Sequence, residues 1–187
     1  MSSPQIKMDY FISIVILTKN GGRLFKKSIE SIFSQEVKYA YELIIIDSGS
    51  KDGTLEFLKN LKIQLIEIKH QDFSFGYARD LGFKQAKGDF LVTISQDVVP
   101  VDTHWLQNLV EPLDKNVADI VQGANLFPLD ERVFFWEKKG LFYFTQESKK
   151  FIQEHGGFGL SFTNVAIKRK VWEENSFGDV QMNEDKM

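Results

Sequence analysis

Asp47, Asp97 and Arg79 are the side chains whose setting best suits them to chemistry. Asp47 follows the apolar run YELIII and opens the turn Ser48-Gly-Ser-Lys-Asp-Gly-Thr54. A carboxylate at such a strand end projects from the edge of a sheet, where it can accept hydrogen bonds from a base imide or a ribose hydroxyl. The same Asp-Ser-Gly-Ser wording can also do no more than cap its own turn. Asp97 stands in Ser95-Gln-Asp-Val-Val-Pro100, after DFLVTI, among apolar rather than solvating neighbours. A hard divalent cation, Mg²⁺ or Mn²⁺, takes one or two carboxylate oxygens and completes its shell with phosphate oxygens and water, which makes Asp97 a candidate metal ligand. The plainer alternative is a solvated loop aspartate. Arg79, in Gly76-Tyr-Ala-Arg-Asp-Leu-Gly82, lies on a predicted helix, where its guanidinium fork either meets a diphosphate or points into solvent. His70, His104 and His155 are scattered without metal-ligand spacing and read as surface or packing residues.

The elements that must position these groups are strands and helices taking turns. Phe11 to Leu17 (FISIVIL) and Tyr41 to Ile46 (YELIII) are continuous apolar runs, the pattern of strands buried on both faces of a parallel sheet. Thr18 to Gly22 is the loop after the first. From Arg23 to Gln35 the residues Phe25, Ile29, Ile32 and Phe33 recur at helical spacing, with Lys26, Lys27 and Glu30 opposite. Asp52 is an N-cap candidate for a helix bearing Leu55, Phe57 and Leu58. Gln64 to Ile68 alternates as a shorter strand, Gly76 to Ala86 winds as a helix, and Asp89 to Ile94 forms another strand. Repeated βα units demand a mainly parallel sheet covered by helices on both faces, with ligands at the carboxyl ends of its strands. The loops after Leu17, Ile46 and Ile94 are therefore the first places to look. Further on, His104 to Leu113 reads as a helix, Ala118 to Gly123 as a strand, Val133 to Gln153 as an aromatic-rich helical stretch, Phe158 to Lys168 as a strand pair or loop, and Arg169 to Asn175 as a short helix.

Composition bounds the function. The 187 residues are 43% hydrophobic, enough for one self-supporting core. With 23 Lys and Arg against 26 Asp and Glu, no field collects nucleic acid, so any phosphate site is local. The absence of cysteine removes disulfides, thiolate metal sites and cysteine nucleophiles. Neither a signal peptide nor a spanning helix is legible, and a cytoplasmic chain is expected.

Taken in order, VILTKNGG, IIIDSGSKDGT, GYARDLGFKQAKGDFLVTISQDVVP and Glu184-Asp185 resemble the signature of inverting family 2 glycosyltransferases. The likeness covers roughly residues 11 to 187, and DSGS, FSFGYARDLG, SQDVVP and SFTNVAIKRKVWEE look most like bacterial rhamnosyltransferases of polysaccharide assembly. The resemblance implies a GT-A, Rossmann-like three-layer sandwich. It implies an N-terminal tail over 1–10 and one catalytic domain over 11–187, with a donor half to about residue 100 and an acceptor half beyond. It puts Thr18, Asn20, Asp47, Arg79 and Gln96 at a nucleoside diphosphate sugar, Asp97 on a divalent cation, and Asp185 as the base that deprotonates a glycan or lipid-linked acceptor. Peripheral contact with the inner face of a membrane is part of that expectation. Two departures stand out: Ser95 replaces the first acid of the Asp-x-Asp pattern, and Asp80 stands where an asparagine is common.

Three readings stay open at this point. The Val133 to Phe151 aromatics either cover the sheet or line an acceptor groove or membrane surface, backed by Lys138, Lys139, Lys149 and Lys150. Gly156 to Gly159, with Ser161 to Asn164, would by resemblance flank the acceptor. The Glu184-Asp185 pair is also what a solvated terminus looks like. Relatives are expected to continue past that pair, so this chain is expected to bind donor through about its first hundred residues and to transfer slowly or not at all. The alternatives in function are a nucleotide-sugar-binding or protein-interaction domain of little activity, and transfer of another hexose.

Overall fold

Isoleucine, valine and leucine in unbroken runs need apolar partners above and below, and the fold supplies both. A computed structural model describes residues 10–124 and 161–179. In chain order these form β1 (Phe11–Thr18), α1 (Gly22–Phe33), β2 (Ala40–Asp47), α2 (Thr54–Leu58), β3 (Gln64–Glu67), a 3₁₀ turn at His70–Asp72, α3 (Phe75–Gln85), β4 (Phe90–Ile94), α4 (Trp105–Asp114), β5 (Ile120–Gln122), β6 (Asn164–Lys168) and α5 (Arg169–Glu174). The strands make one six-stranded sheet in the order β3-β2-β1-β4-β6-β5. β1 runs parallel to β2 and β4, and β2 parallel to β3, while β6 lies antiparallel between β4 and β5.

Period-two alternation sorts each strand between two cores. Ile12, Ile14, Ile16, Leu43, Ile45 and Val92 pack with Phe25, Ile29 and Ile32 of α1 and Leu106, Leu109 and Val110 of α4. Val15, Ile44, Ile46 and Leu91 pack on the opposite face with Ala78 and Phe83 of α3 and Trp172 of α5. Each such side chain removed from water contributes about 1.5–3 kcal/mol, which is why both faces must be covered. The result is the expected three-layer α/β sandwich with a mainly parallel sheet.

Several sequence expectations are corrected in detail. Phe33 is 42% exposed, and Ser28 takes a place on the buried face of α1 instead. Gly53, at φ 89°, occupies the cap of α2, a conformation a glycine adopts without steric cost, while Asp52 accepts from the Thr54 amide at 3.1 Å and hydroxyl at 2.6 Å. The strand expected over Ala118 to Gly123 shortens to β5, and the described part of the Phe158 to Lys168 stretch, 161–168, carries the strand β6. The stretch 133–153 lies outside the described residues, as do 156–160.

Two glycines set close approaches between the layers of the fold. A Cβ at Gly82 would stand 2.4 Å from Val15 Cγ1, so the glycine lets α3 lie directly on β1. At Gly88 a Cβ would stand 2.5 Å from the Ser13 nitrogen. That approach allows buried Ser13 to accept from the Gly88 and Lys87 amides at 2.8 and 3.1 Å while donating to Glu42 at 2.6 Å. Gly88→Ala has to push backbone from backbone. It is expected to cost about 1–3 kcal/mol, lowering Tm by about 2–4 °C for each kcal/mol. Calorimetry showing an unchanged Tm would mean the chain yields there freely.

Candidate functional site

Parallel pairing places the carboxyl ends of β1, β2 and β4 on one edge, and Thr18 of β1 lies opposite Asp47 of β2 in the register. The loops leaving that edge are clipped together by short polar side chains. Asp47 is 0% exposed; one of its oxygens accepts from the Gly49 and Ser50 amides, both at 2.8 Å, and the other accepts from the Ser50 hydroxyl. Ser50 Oγ in turn accepts from the Asn20 amide at 2.7 Å, and Asn20 Oδ1 accepts from the Lys51 amide at 2.8 Å. Asn20 sits at φ 51°, a left-handed conformation that asparagine tolerates better than most residues. Gly21 and Gly22 extend the clip through Thr54 Oγ1 and Asp52 Oδ2. The Thr54 hydroxyl, donating to Asp52, is the main reason that carboxyl is held below the usual carboxylate range.

A second clip joins β1 to β4. Gln96 Oε1 accepts from the Thr18 hydroxyl at 2.7 Å and from the Lys19 amide at 3.1 Å. Asp47, Thr18, Asn20 and Gln96 are thus brought together, but as builders of the rim. The Asp47 carboxylate, offered by the sequence to a base or ribose, is covered and engaged by its own turn, and Thr18 is only 4% exposed.

Between these loops and α3 lies a cleft of about 320 Å³. Lys19 and Arg79 bring positive charge to it, and Asp97, an exposed carboxylate, stands on its rim beside Ser95 and Gln96. Arg79 is not the solvated helix residue of the plain reading. It is 6% exposed, with its guanidinium carbon 5.5 Å from the ring centroids of both Phe162 and Phe177. Among the described residues no group of three or more histidine, cysteine, aspartate or glutamate side chains could hold a metal alone. A cation at Asp97 would draw its remaining ligands from phosphate oxygens and water, a donor set that suits Mg²⁺ or Mn²⁺.

Other cleft residues escaped the sequence reading. His70 is exposed on the 3₁₀ turn, as a surface histidine is, and lines the cleft. Phe73 and Phe75 line it too, with centroids 5.1 Å apart edge to face, and Phe75 is 41% exposed. Phe73 precedes α3 and Phe75 opens it, and no periodicity marks rings at a loop-to-helix junction, so two phenylalanines flanking the capping Ser74 are the available signal. Asp185, its neighbour Glu184 and His155 lie outside the described residues.

Comparison with known proteins bears on this arrangement. The family model described as Glycosyl transferase family 2 matches residues 13–175. The O-antigen chain rhamnosyltransferase RfbN of Salmonella typhimurium is 31% identical over 176 residues, which cover 88% of this chain and 54% of that protein. Chondroitin synthase of Escherichia coli is 32% identical over 114 residues, covering 57% of this chain and 16% of the synthase. The chain therefore spans about half the length of the rhamnosyltransferase and a smaller share of the synthase. Among solved structures, the mannosyltransferase PcManGT from Pyrobaculum calidifontis, in complex with GDP-Man and Mn²⁺, superposes with a TM-score of 0.69 at 18% identity, covering 96% of this chain and 51% of that one. TarS of S. aureus, residues 1-349, gives 0.68 at 16% identity, covering 94% and 52%. At these identities the structural likeness establishes the GT-A fold alone.

Ser50→Ala tests the clip between the first two loops, because it removes both the acceptor of the Asn20 amide and the hydroxyl that donates to Asp47. It is expected to cost about 1–3 kcal/mol and to speed amide exchange at Asn20 and Ser50 relative to the strands. Exchange at those amides as slow as in the wild type would show that the loops hold without it.

Proposed function

The chain belongs to glycosyl transferase family 2, and on that premise we propose that it moves a sugar, rhamnose foremost, from a nucleoside diphosphate donor to a glycan or lipid-linked acceptor, with inversion at the anomeric carbon. One observation carries this reading: the loops after β1, β2 and β4 converge on a cleft that bears Lys19, Arg79 and Asp97 together. Two cations suit a diphosphate, and a lone exposed carboxylate suits a cation shared with it. In this reading Thr18, Gln96 and Asn20 hold the rim against which the nucleoside rests, and Asp47 serves that end from within the turn it orders.

The transfer itself is a displacement. The acceptor oxygen forms a bond to the anomeric carbon from the face opposite the diphosphate, and the carbon–oxygen bond to the diphosphate breaks with its electron pair on the leaving oxygen. Asp185 is assigned the acceptor's proton, as a general base. Lys19 and Arg79 meet the negative charge that collects on the diphosphate. A divalent cation held by Asp97 would add Lewis-acid neutralisation of the same charge. Ser95, standing where a first acid is expected, leaves Asp97 as the carboxylate on which that cation depends.

The domain proposal follows the chain: a donor half over about 11–100 and an acceptor half over about 101–187, within one catalytic unit. No helix among the described residues is long and apolar enough to cross a membrane. We place the reaction in the cytoplasm, at the inner face of the membrane when the acceptor is carried on a lipid.

Because metal and diphosphate share the site, each should tighten the other. Titration calorimetry with UDP, GDP and dTDP is expected to show affinity for the preferred nucleotide rising roughly 5- to 150-fold on adding Mn²⁺. Asp97→Ala should abolish that increase while keeping the metal-free affinity. A full Mn²⁺ effect in Asp97→Ala would remove Asp97 from the cation, and absence of nucleotide binding in the wild type would overturn the reading.

A further inference from the structure

Asp80, the departure for which sequence offers no account, is explained by what faces it. It follows Arg79 on α3 and is 5% exposed. Its Oδ1 accepts from the Trp172 indole nitrogen at 2.6 Å and from the Phe177 amide at 3.2 Å, and its Oδ2 accepts from the Gly178 amide at 2.9 Å. Among the described residues, each of the three groups bonded to this side chain is a donor. A carboxylate, an acceptor on both oxygens, satisfies all three, whereas an asparagine would turn an amide NH₂ toward one of them. At the start of the same helix, Ser74 Oγ donates to Asp179 Oδ1 at 2.6 Å while accepting from the Tyr77 amide as the cap of α3.

These bonds tie the helix that carries Arg79 to a segment about a hundred residues downstream. The same segment supplies Phe177, whose ring lies 4.8 Å from Phe162 at 90° and 6.0 Å from Phe83. Phe162 and Phe177 are the two rings against which the Arg79 guanidinium rests. The Phe177 amide that bonds Asp80 and the Phe177 ring that faces Arg79 belong to one residue, so the carboxylate fixes the ring by fixing its backbone. A guanidinium against aromatic faces keeps its charge while losing freedom to swing into solvent.

We infer that Asp80 is a positioning residue for donor binding: without touching the ligand, it holds Phe177 so that Arg79 is presented to the cleft. The inference rests on the proposed role of Arg79 at the donor diphosphate. It also changes how donor binding divides along the chain, since residues 162–178 then contribute to a site otherwise built from the first hundred.

The test is a double-mutant cycle on nucleotide affinity, read by calorimetry with whichever of UDP, GDP and dTDP the wild type binds most tightly. Arg79→Gln is expected to weaken binding, and Asp80→Ala to weaken it about 3- to 30-fold. In an Arg79→Gln background Asp80→Ala should bring no further loss, because its effect passes through the arginine. Asp80→Asn should fall between, and Phe177→Leu, which keeps the amide, should show the same non-additivity, so the cycle survives poor folding of Asp80→Ala. Gly88→Ala, destabilised at a distant point, controls for lowered stability and should bind as the wild type does. The Trp172 indole N–H resonance should move upfield in Asp80→Ala. Wild-type affinity in a folded Asp80→Ala, or losses that simply add, would overturn the positioning role while leaving the Arg79 reading intact. Unchanged affinity in Arg79→Gln would overturn both.

Discussion

Parallel pairing of β1 with both β2 and β4 is the constraint on which the rest of the molecule depends. It brings three carboxyl ends to one edge and sets Thr18 opposite Asp47. A strand buried on both faces cannot slip its register by one residue without turning each core side chain into the wrong layer. The alternating assignment of Ile14 to one core and Val15 to the other therefore also locates the loops. The chemistry of the edge follows from the packing beneath it.

At that edge the polar residues work mainly on one another. Asp47 orders Gly49 and Ser50, Ser50 holds Asn20, and Gln96 holds Thr18 and Lys19. Left unpaired in a buried turn, these groups would be costly; paired, they make a rigid rim. The groups left facing the cleft differ in kind, with cations at Lys19 and Arg79, rings at Phe73 and Phe75, and one carboxylate at Asp97. Such a division, a stiff polar frame around a few charged groups, is what preorganised binding of a polyanion requires.

Much of this was legible in the sequence, and the reason is physical. Apolar runs such as FISIVIL and YELIII report burial on two faces, and the turn residues after them report the strand ends, so the site's location could be read from local chain. What could not be read is contact between distant segments. Nothing around Arg79 announces that Phe162 and Phe177 will meet it, and the choice of Asp80 over asparagine makes sense only once the Trp172 indole and two downstream amides are in place. That exposed His70 faces the cleft is likewise not legible, because a 3₁₀ turn of three residues carries no spacing from which to infer its facing. Asp47 is the reverse case: its strand-end position is legible from the local chain, and its oxygens order the turn that follows it.

The central claim, that a nucleoside diphosphate occupies the strand-end cleft, is tested most directly by hydrogen exchange of the intact chain with and without the tightest-binding of UDP, GDP and dTDP, in the presence of Mn²⁺. The account predicts slowed exchange in peptides covering 17–22, 47–54, 70–79 and 95–99, with the opposite edge at 85–90 and 112–118 unchanged. Slowing confined to that opposite edge, or bound nucleotide that leaves all four loops as they were, would contradict it.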